Sequence, residues 1–162
     1  MLRSGGRAIV IALSLAAAAP APAGEAGGAA GLALAALVAR QSPLLATADK
    51  RVVLGLYEGH AKDRYPAGQR VTVTADKIVC KSGNVDITLH ACDLVFGGKT
   101  VALSGARAHT IYATIAEIGV PADAAAGTSY EALSRLSCTI DPNAVAEKSG
   151  GGVACTFTPG AG

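Results

Sequence analysis

Apolar and polar residues alternate strictly over Val71-Thr72-Val73-Thr74-Ala75, and the run continues into Lys77-Ile78-Val79-Cys80. Valine and threonine suit a half-buried pleated surface, so this stretch predicts a strand. Its apolar set moves from the odd positions 71, 73 and 75 to the even positions 78 and 80, which predicts a β-bulge near Asp76. Ser82-Gly83-Asn84 opens a turn or loop. Val85, Ile87 and Leu89 then alternate with Asp86, Thr88 and His90 as a further strand, and a second change of phase near Asp93 brings Leu94 and Phe96 to the apolar side.

The pattern is organised around the stretch from Cys92 to Ile118. Gly97-Gly98 lies between Phe96 and Lys99, and glycine reaches φ > 0 without steric cost, as a two-residue primed turn requires. The hairpin so formed sets Leu94 opposite Val101 and Cys92 opposite Leu103. After Ser104-Gly105 the apolar period lengthens from two to about three and a half. Ala108, Ile111, Ile115 and Ile118 share one stripe, Tyr112 and Thr114 border it, and Thr110 and Glu117 fall opposite. The spacing predicts a helix over 106–118, with Ser104 as N-cap, Gly119 as stop and Pro121 just beyond.

Val52, Val53, Leu56 and Tyr57 predict an earlier helix over 46–58, N-capped by Thr47, with Asp49 in its first turn and Gly59 as the glycine that ends it. His60 to Arg70 is polar, carries Pro66 and Gly68, and reads as a loop. Pro121 to Gly127 is a loop of small residues. Thr128-Ser129-Tyr130-Glu131 fits a capping box, yet Tyr130, Ala132, Ser134, Leu136, Cys138 and Ile140 alternate as a strand. The strand is placed from about 134, and 128–133 stays open between the two readings. Asp141-Pro142-Asn143 reads as a turn, 149–152 as a glycine-rich hinge, and 153–158 as the last strand.

The start of the chain changes the picture. Arg3 and Arg7 form a basic n-region, Ala8 to Ala19 is an apolar h-region, and Ala21-Pro22-Ala23 is a small-x-small site before Gly24, so 1–23 reads as a secretory signal peptide. Pro20, Pro22, Gly24 and Glu25 interrupt the run before the roughly 20 apolar residues of a membrane span, so no stable span is expected after cleavage. The implied address is periplasmic or secreted. Residues 24–43 are mostly alanine, glycine and leucine, with too little side-chain volume to define a packed surface, and read as a tether or a loosely helical arm ending at Gln41-Ser42-Pro43. One globular domain over 44–158 and a tail over 159–162 complete the organisation.

Removing 1–23 takes two arginines from 14 basic side chains and nothing from 12 acidic ones, leaving 12 against 12. A neutral chain has no basic footprint for nucleic acid. The four cysteines, Cys80, Cys92, Cys138 and Cys155, all lie in the domain, and an even count in an exported chain predicts two disulfides. Four cysteines allow three pairings. A hairpin that sets Ile140 opposite Val153 also sets Cys138 opposite Cys155 and Leu136 opposite Phe157, which makes Cys138–Cys155 the first choice. Cys80–Cys92 follows by subtraction if Ile78 opposes Leu94, and fails if Lys81-Ser82-Gly83-Asn84 is a tight turn.

Candidate chemistry is sparse. Gly98-Lys99-Thr100 imitates the end of a phosphate-binding loop, but Asp93 stands where the first glycine is required and a strand follows where a helix is needed. His60, His90 and His109 are far apart in sequence, and solvent-facing or rim positions are expected for them. His90 and Asp93 flank Cys92, but strand alternation sends them to opposite faces unless the bulge intervenes. Ser104 at a strand-to-helix corner is explained by the N-cap role, and no serine motif, carboxylate pair or zinc spacing supplies a catalytic, cofactor or metal site.

The segments KIVCKSGNVDITLHACDLVFG, GARAHTIYATIAEIGV and YEALSRLSCTIDPN, in this order, resemble small exported bacterial proteins with no assigned role, over about 46–158. The resemblance implies one exported domain and nothing about sites. The expected fold is α+β: an antiparallel sheet of four or five strands, helix 106–118 on one face with helix 46–58 beside it, and two disulfides. The expected function is a binding or interaction module of the bacterial envelope with a protein or small-molecule partner. The competing reading is a small periplasmic hydrolase or ligand-binding enzyme using His90, Asp93 or His109.

Overall fold

A computed structural model describes residues 23–60, 65, 68–83, 86–120, 127–144 and 151–160. The expected leader therefore lies outside the described residues, except for its last position, Ala23. So do Val85, most of the 61–67 loop, the loop from 121 and the hinge before Gly151. Among the described residues the chain runs β1 (Gly24–Gly27), α1 (Gly28–Gln41), α2 (Thr47–Tyr57), β2 (Val71–Lys81), a 3₁₀ turn (Ile87–Leu89), β3 (Ala91–Phe96), β4 (Lys99–Ser104), α3 (Ala106–Glu117), β5 (Ser129–Ile140) and β6 (Val153–Pro159). The six strands form one antiparallel sheet in the order β1-β6-β5-β2-β3-β4. The α+β class holds, with one strand and one helix more than expected.

Both additions come from the supposed tether. Gly24–Gly27 pairs with β6, and α1 buries Leu32, Leu34, Ala35, Ala36, Val38 and Ala39. Small side chains do not leave this helix without a packing surface; they let it approach the sheet closely. A Cβ on Gly31 would come within 2.9 Å of the Ala26 carbonyl oxygen, and one on Gly24 would run into the Phe157 ring. Leu34 and Val38, both fully buried, supply the apolar volume. Gly24–Gln41 therefore shares the sheet and core of the residues from 44 on, and α1 packs against both α2 and α3. At the other end Pro159 belongs to β6, and the Gly160 N–H bonds the Ala132 carbonyl at 3.2 Å, so these two residues are not tail.

The sheet registers follow from the pattern. Leu94 opposes Val101 and Cys92 opposes Leu103, while Gly97 and Gly98 take φ of 54° and 79° in the turn between them. Ile78 opposes Leu94, and Ile140 opposes Val153. The disulfides are Cys80–Cys92 and Cys138–Cys155, each joining directly opposed residues on the buried face. The expected Leu136–Phe157 pair is not formed, because the β5–β6 register shifts between Ser134 and Ser137, where Arg135 adopts φ 53°. β5 runs from Ser129, so the capping-box alternative for 128–131 is not realised.

β2 does change face at Asp76: Ala75 is buried, Asp76 and Lys77 are both exposed, and Ile78 is buried again. The register shift itself comes later, between Ile78 and Val79, where β5 holds Ala132 as an extra residue. Ile87–Leu89 is not a strand. Asp86 accepts from the backbone N–H and the hydroxyl of Thr88, at 3.0 and 2.6 Å, and this local bonding turns the chain before it can pair. The helix caps also differ from expectation. Gly105 at φ 60° takes the N-cap position of α3 in place of Ser104, and Ala46 takes that of α2, so Thr47 is the first helical residue. Both helices end as the glycines predict. Gly59 and Gly119 have positive φ, and the following residues, His60 and Val120, donate back to the Gly55 and Ile115 carbonyls.

All three helices contribute to one core with the inner sheet face. The outer face carries Thr72, Thr74, Lys77, Lys81, Asp93, Thr139 and Thr156 toward solvent.

Candidate functional site

β3 and the first turns of α3 meet at a corner closed by the Gly105 N–H, which donates to the His90 carbonyl at 2.9 Å. This corner brings His90 and His109 together, with ring centroids 4.9 Å apart and tilted by 60°, and puts Tyr112 5.0 Å from His90 on the next turn of the helix. His90 is 2% exposed, a correction to the rim position expected for it, whereas His109 is half-buried at the rim. The strand phase explains the difference: His90 shares the inward parity of Cys92, Leu94 and Phe96.

The Gly83 N–H donates to His90 Nδ1 at 3.5 Å, while His90 Nε2 and His109 Nδ1 are buried and have no hydrogen-bond partner. Asp93 is exposed on the other face of β3, as alternation requires. The pair therefore lacks Asp93 as an orienting carboxylate, and His90 is buried. His60 is remote from this corner, on the loop after α2, where it lines a shallow cleft of about 410 Å³ with Arg51, Leu54, Gly55, Glu58 and Tyr65. The Asp86 carboxyl is held below the usual carboxylate range, first by the Thr88 hydroxyl and then by the Thr88 N–H. Among the described residues, no three His, Cys, Asp or Glu side chains are grouped to hold a metal, and no helix is long and apolar enough to cross a membrane.

A second feature was not legible in the sequence. The C-terminal ends of α1 and α2 converge on the start of α3 and enclose a cleft of about 460 Å³. Its apolar lining is Leu37, Leu103 and Ile111, and its polar lining is Arg40, Gln41, Tyr57, Arg107 and Thr110. Tyr57 is 44% exposed, so a large aromatic ring stands at the cleft with much of its surface in water. Arg40 lies 3.9 Å from Glu58 in a loose, half-exposed ion pair, and Arg107 makes no ion pair among the described residues. The volume falls in the range of small-molecule sites, and an apolar floor with a few polar groups is their usual composition. No periodicity announces the cleft, because its lining comes from four elements, with Leu37, Arg40 and Gln41 supplied by the stretch read as a tether or arm.

Comparison with protein-family models, with curated proteins and with solved structures found no match.

Proposed function

We propose that this chain is an exported binding module of the bacterial envelope, not an enzyme, and that it holds a small ligand in the cleft between α1, α2 and α3. The observation that carries the reading is the pairing of an apolar floor with two arginines in a concave site of about 460 Å³. The His90 and His109 imidazoles are packed against each other and neither lines that cleft, and Asp93 faces the opposite side of the sheet. General acid–base chemistry needs its groups within hydrogen-bond reach of a substrate, and neither imidazole lines the cleft where the ligand is proposed to bind. Export is supported by the n-region, h-region and small-x-small pattern over 1–23 and by four cysteines in two bridges, a usage suited to an oxidising compartment.

The test has two arms. The full chain expressed in a bacterial host is fractionated and its mature N-terminus sequenced; a start at Gly24 in the envelope fraction is the expected result, and an uncut cytoplasmic product removes the export claim. The purified protein is then incubated with small-molecule extract and examined by native mass spectrometry. A retained species that is lost when Thr110→Trp fills the cleft supports the reading. A retained species indifferent to that substitution, or hydrolysis that disappears in His109→Ala, defeats it.

A further inference from the structure

We infer that the cleft takes an amphipathic oxyanion, a carboxylate or phosphate on an apolar body, with the anionic head on Arg107 and Arg40 and the body on Leu37, Leu103 and Ile111. The inference rests on the cleft being a binding site, as proposed above, and names its ligand class.

Arg107 carries the argument. It lies in the first turn of α3, which contains no acidic residue and no side-chain cap. A cation there opposes the positive end of the helix dipole, so helix stability does not account for its presence. Nor does any ion pair among the described residues. Arg107 lines a concave site with an apolar floor, and the donor fork of a guanidinium matches a planar oxyanion. Gln41 adds an amide at the same cleft.

Arg40 reaches the cleft from the last turn of α1, and among the described residues its ion pair is with Glu58, at 3.9 Å with both side chains about half exposed. So loose and solvated a pair contributes little to stability. Glu58 lines the neighbouring cleft with His60, so an entering oxyanion competes with it for Arg40 from the other side. Because the chain without residues 1–23 is charge-balanced, at 12 basic against 12 acidic side chains, this positive site is a local feature.

Calorimetric titration of the purified protein with 4-phenylbutyrate, phenyl phosphate and the neutral 4-phenylbutanol tests this. At least one anion is expected to bind about tenfold or more tightly than the alcohol, a difference of about 1.4 kcal/mol. Arg107→Ala should weaken the anion by about tenfold and leave the alcohol unchanged, while Glu58→Gln should tighten the anion several-fold by freeing Arg40. A preference for phenyl phosphate or for 4-phenylbutyrate assigns the head group. Circular dichroism of the variants, whose substituted residues are exposed, checks that they fold. Equal affinity for all three compounds, or binding by none of them at about 10 mM, overturns the oxyanion. The binding reading stands apart from that result, because it is decided by native mass spectrometry with Thr110→Trp and by the His109→Ala hydrolysis assay, neither of which uses these three compounds.

Discussion

Asp76 Oδ2 accepts the Gly97 N–H at 2.6 Å, joining the point where β2 changes face to the turn of the β3–β4 hairpin. A carboxylate on β2 thus secures the donor of a glycine held at φ 54°, 21 residues away in sequence. A hydrogen bond to a charged group contributes about 1.5–3 kcal/mol, and exposure to water reduces this one to about 1 kcal/mol. Asp76→Ala should lower unfolding free energy in urea by about that amount, and Asp76→Asn by less. An unchanged denaturation midpoint in Asp76→Ala would show that the turn holds without the bond.

Two bridges tie the sheet at separate places, Cys80–Cys92 across β2–β3 and Cys138–Cys155 across β5–β6, with sequence separations of 12 and 17. Closing loops of that length stabilises the fold by about 3 kcal/mol each through the unfolded chain. The double substitution Cys138→Ser with Cys155→Ser should cost about 2–4 kcal/mol and detach β6 along with β1, which pairs only with β6. Non-reducing peptide mapping should recover Cys80 joined to Cys92; Cys80 joined to Cys138 or Cys155 would contradict the register.

The close approach of α1 to the sheet is tested at Gly31. Valine is a better helix former than glycine by a few tenths of a kcal/mol, but its side chain would meet the Ala26 carbonyl oxygen and Val153 Cγ1, contacts of 2.9 and 3.3 Å for the Cβ alone. Overpacking costs about 1–3 kcal/mol, so the clash outweighs the propensity. Gly31→Val should lower Tm by several degrees. A tether would tolerate the substitution with no change in Tm.

His90 and His109 each leave a ring nitrogen buried without a partner. An unsatisfied buried polar atom carries a desolvation cost that an apolar ring of similar shape does not. His90→Phe should therefore be within about 1 kcal/mol of the parent in stability, or above it, because only the 3.5 Å bond from Gly83 is lost. A loss of about 3 kcal/mol or more in equilibrium unfolding would refute the idea that these nitrogens are unsatisfied.

Asp86 titrates below the usual carboxylate range, chiefly because the Thr88 hydroxyl bonds it. A folded-state pKa below the unfolded value means that the ionised group stabilises the fold above the ordinary carboxylate range and loses that contribution as pH falls through the folded value. Thr88→Val removes the leading cause, so the Asp86 carboxyl signal in NMR should titrate at higher pH in the variant. A midpoint that does not move would assign the lowering to the Thr88 N–H instead.

Local pattern was enough for much of this protein. Alternation over 71–80, the Gly97-Gly98 turn and the isoleucine stripe over 106–118 each depend on residues a few positions apart, and each appears in the fold with the predicted partner positions. The cysteine pairing could be read for the same reason, because hairpin register sets both members of a pair at once. The packing of α1 could not be read, since alanine and glycine carry little pattern and their value lies in how near a helix can come to a sheet, which is a property of the partner surface. The His90–His109 contact and the cleft at Arg40 and Arg107 share that character. Each joins residues from elements whose separation in space is set by packing, so only the tertiary structure decided that they meet.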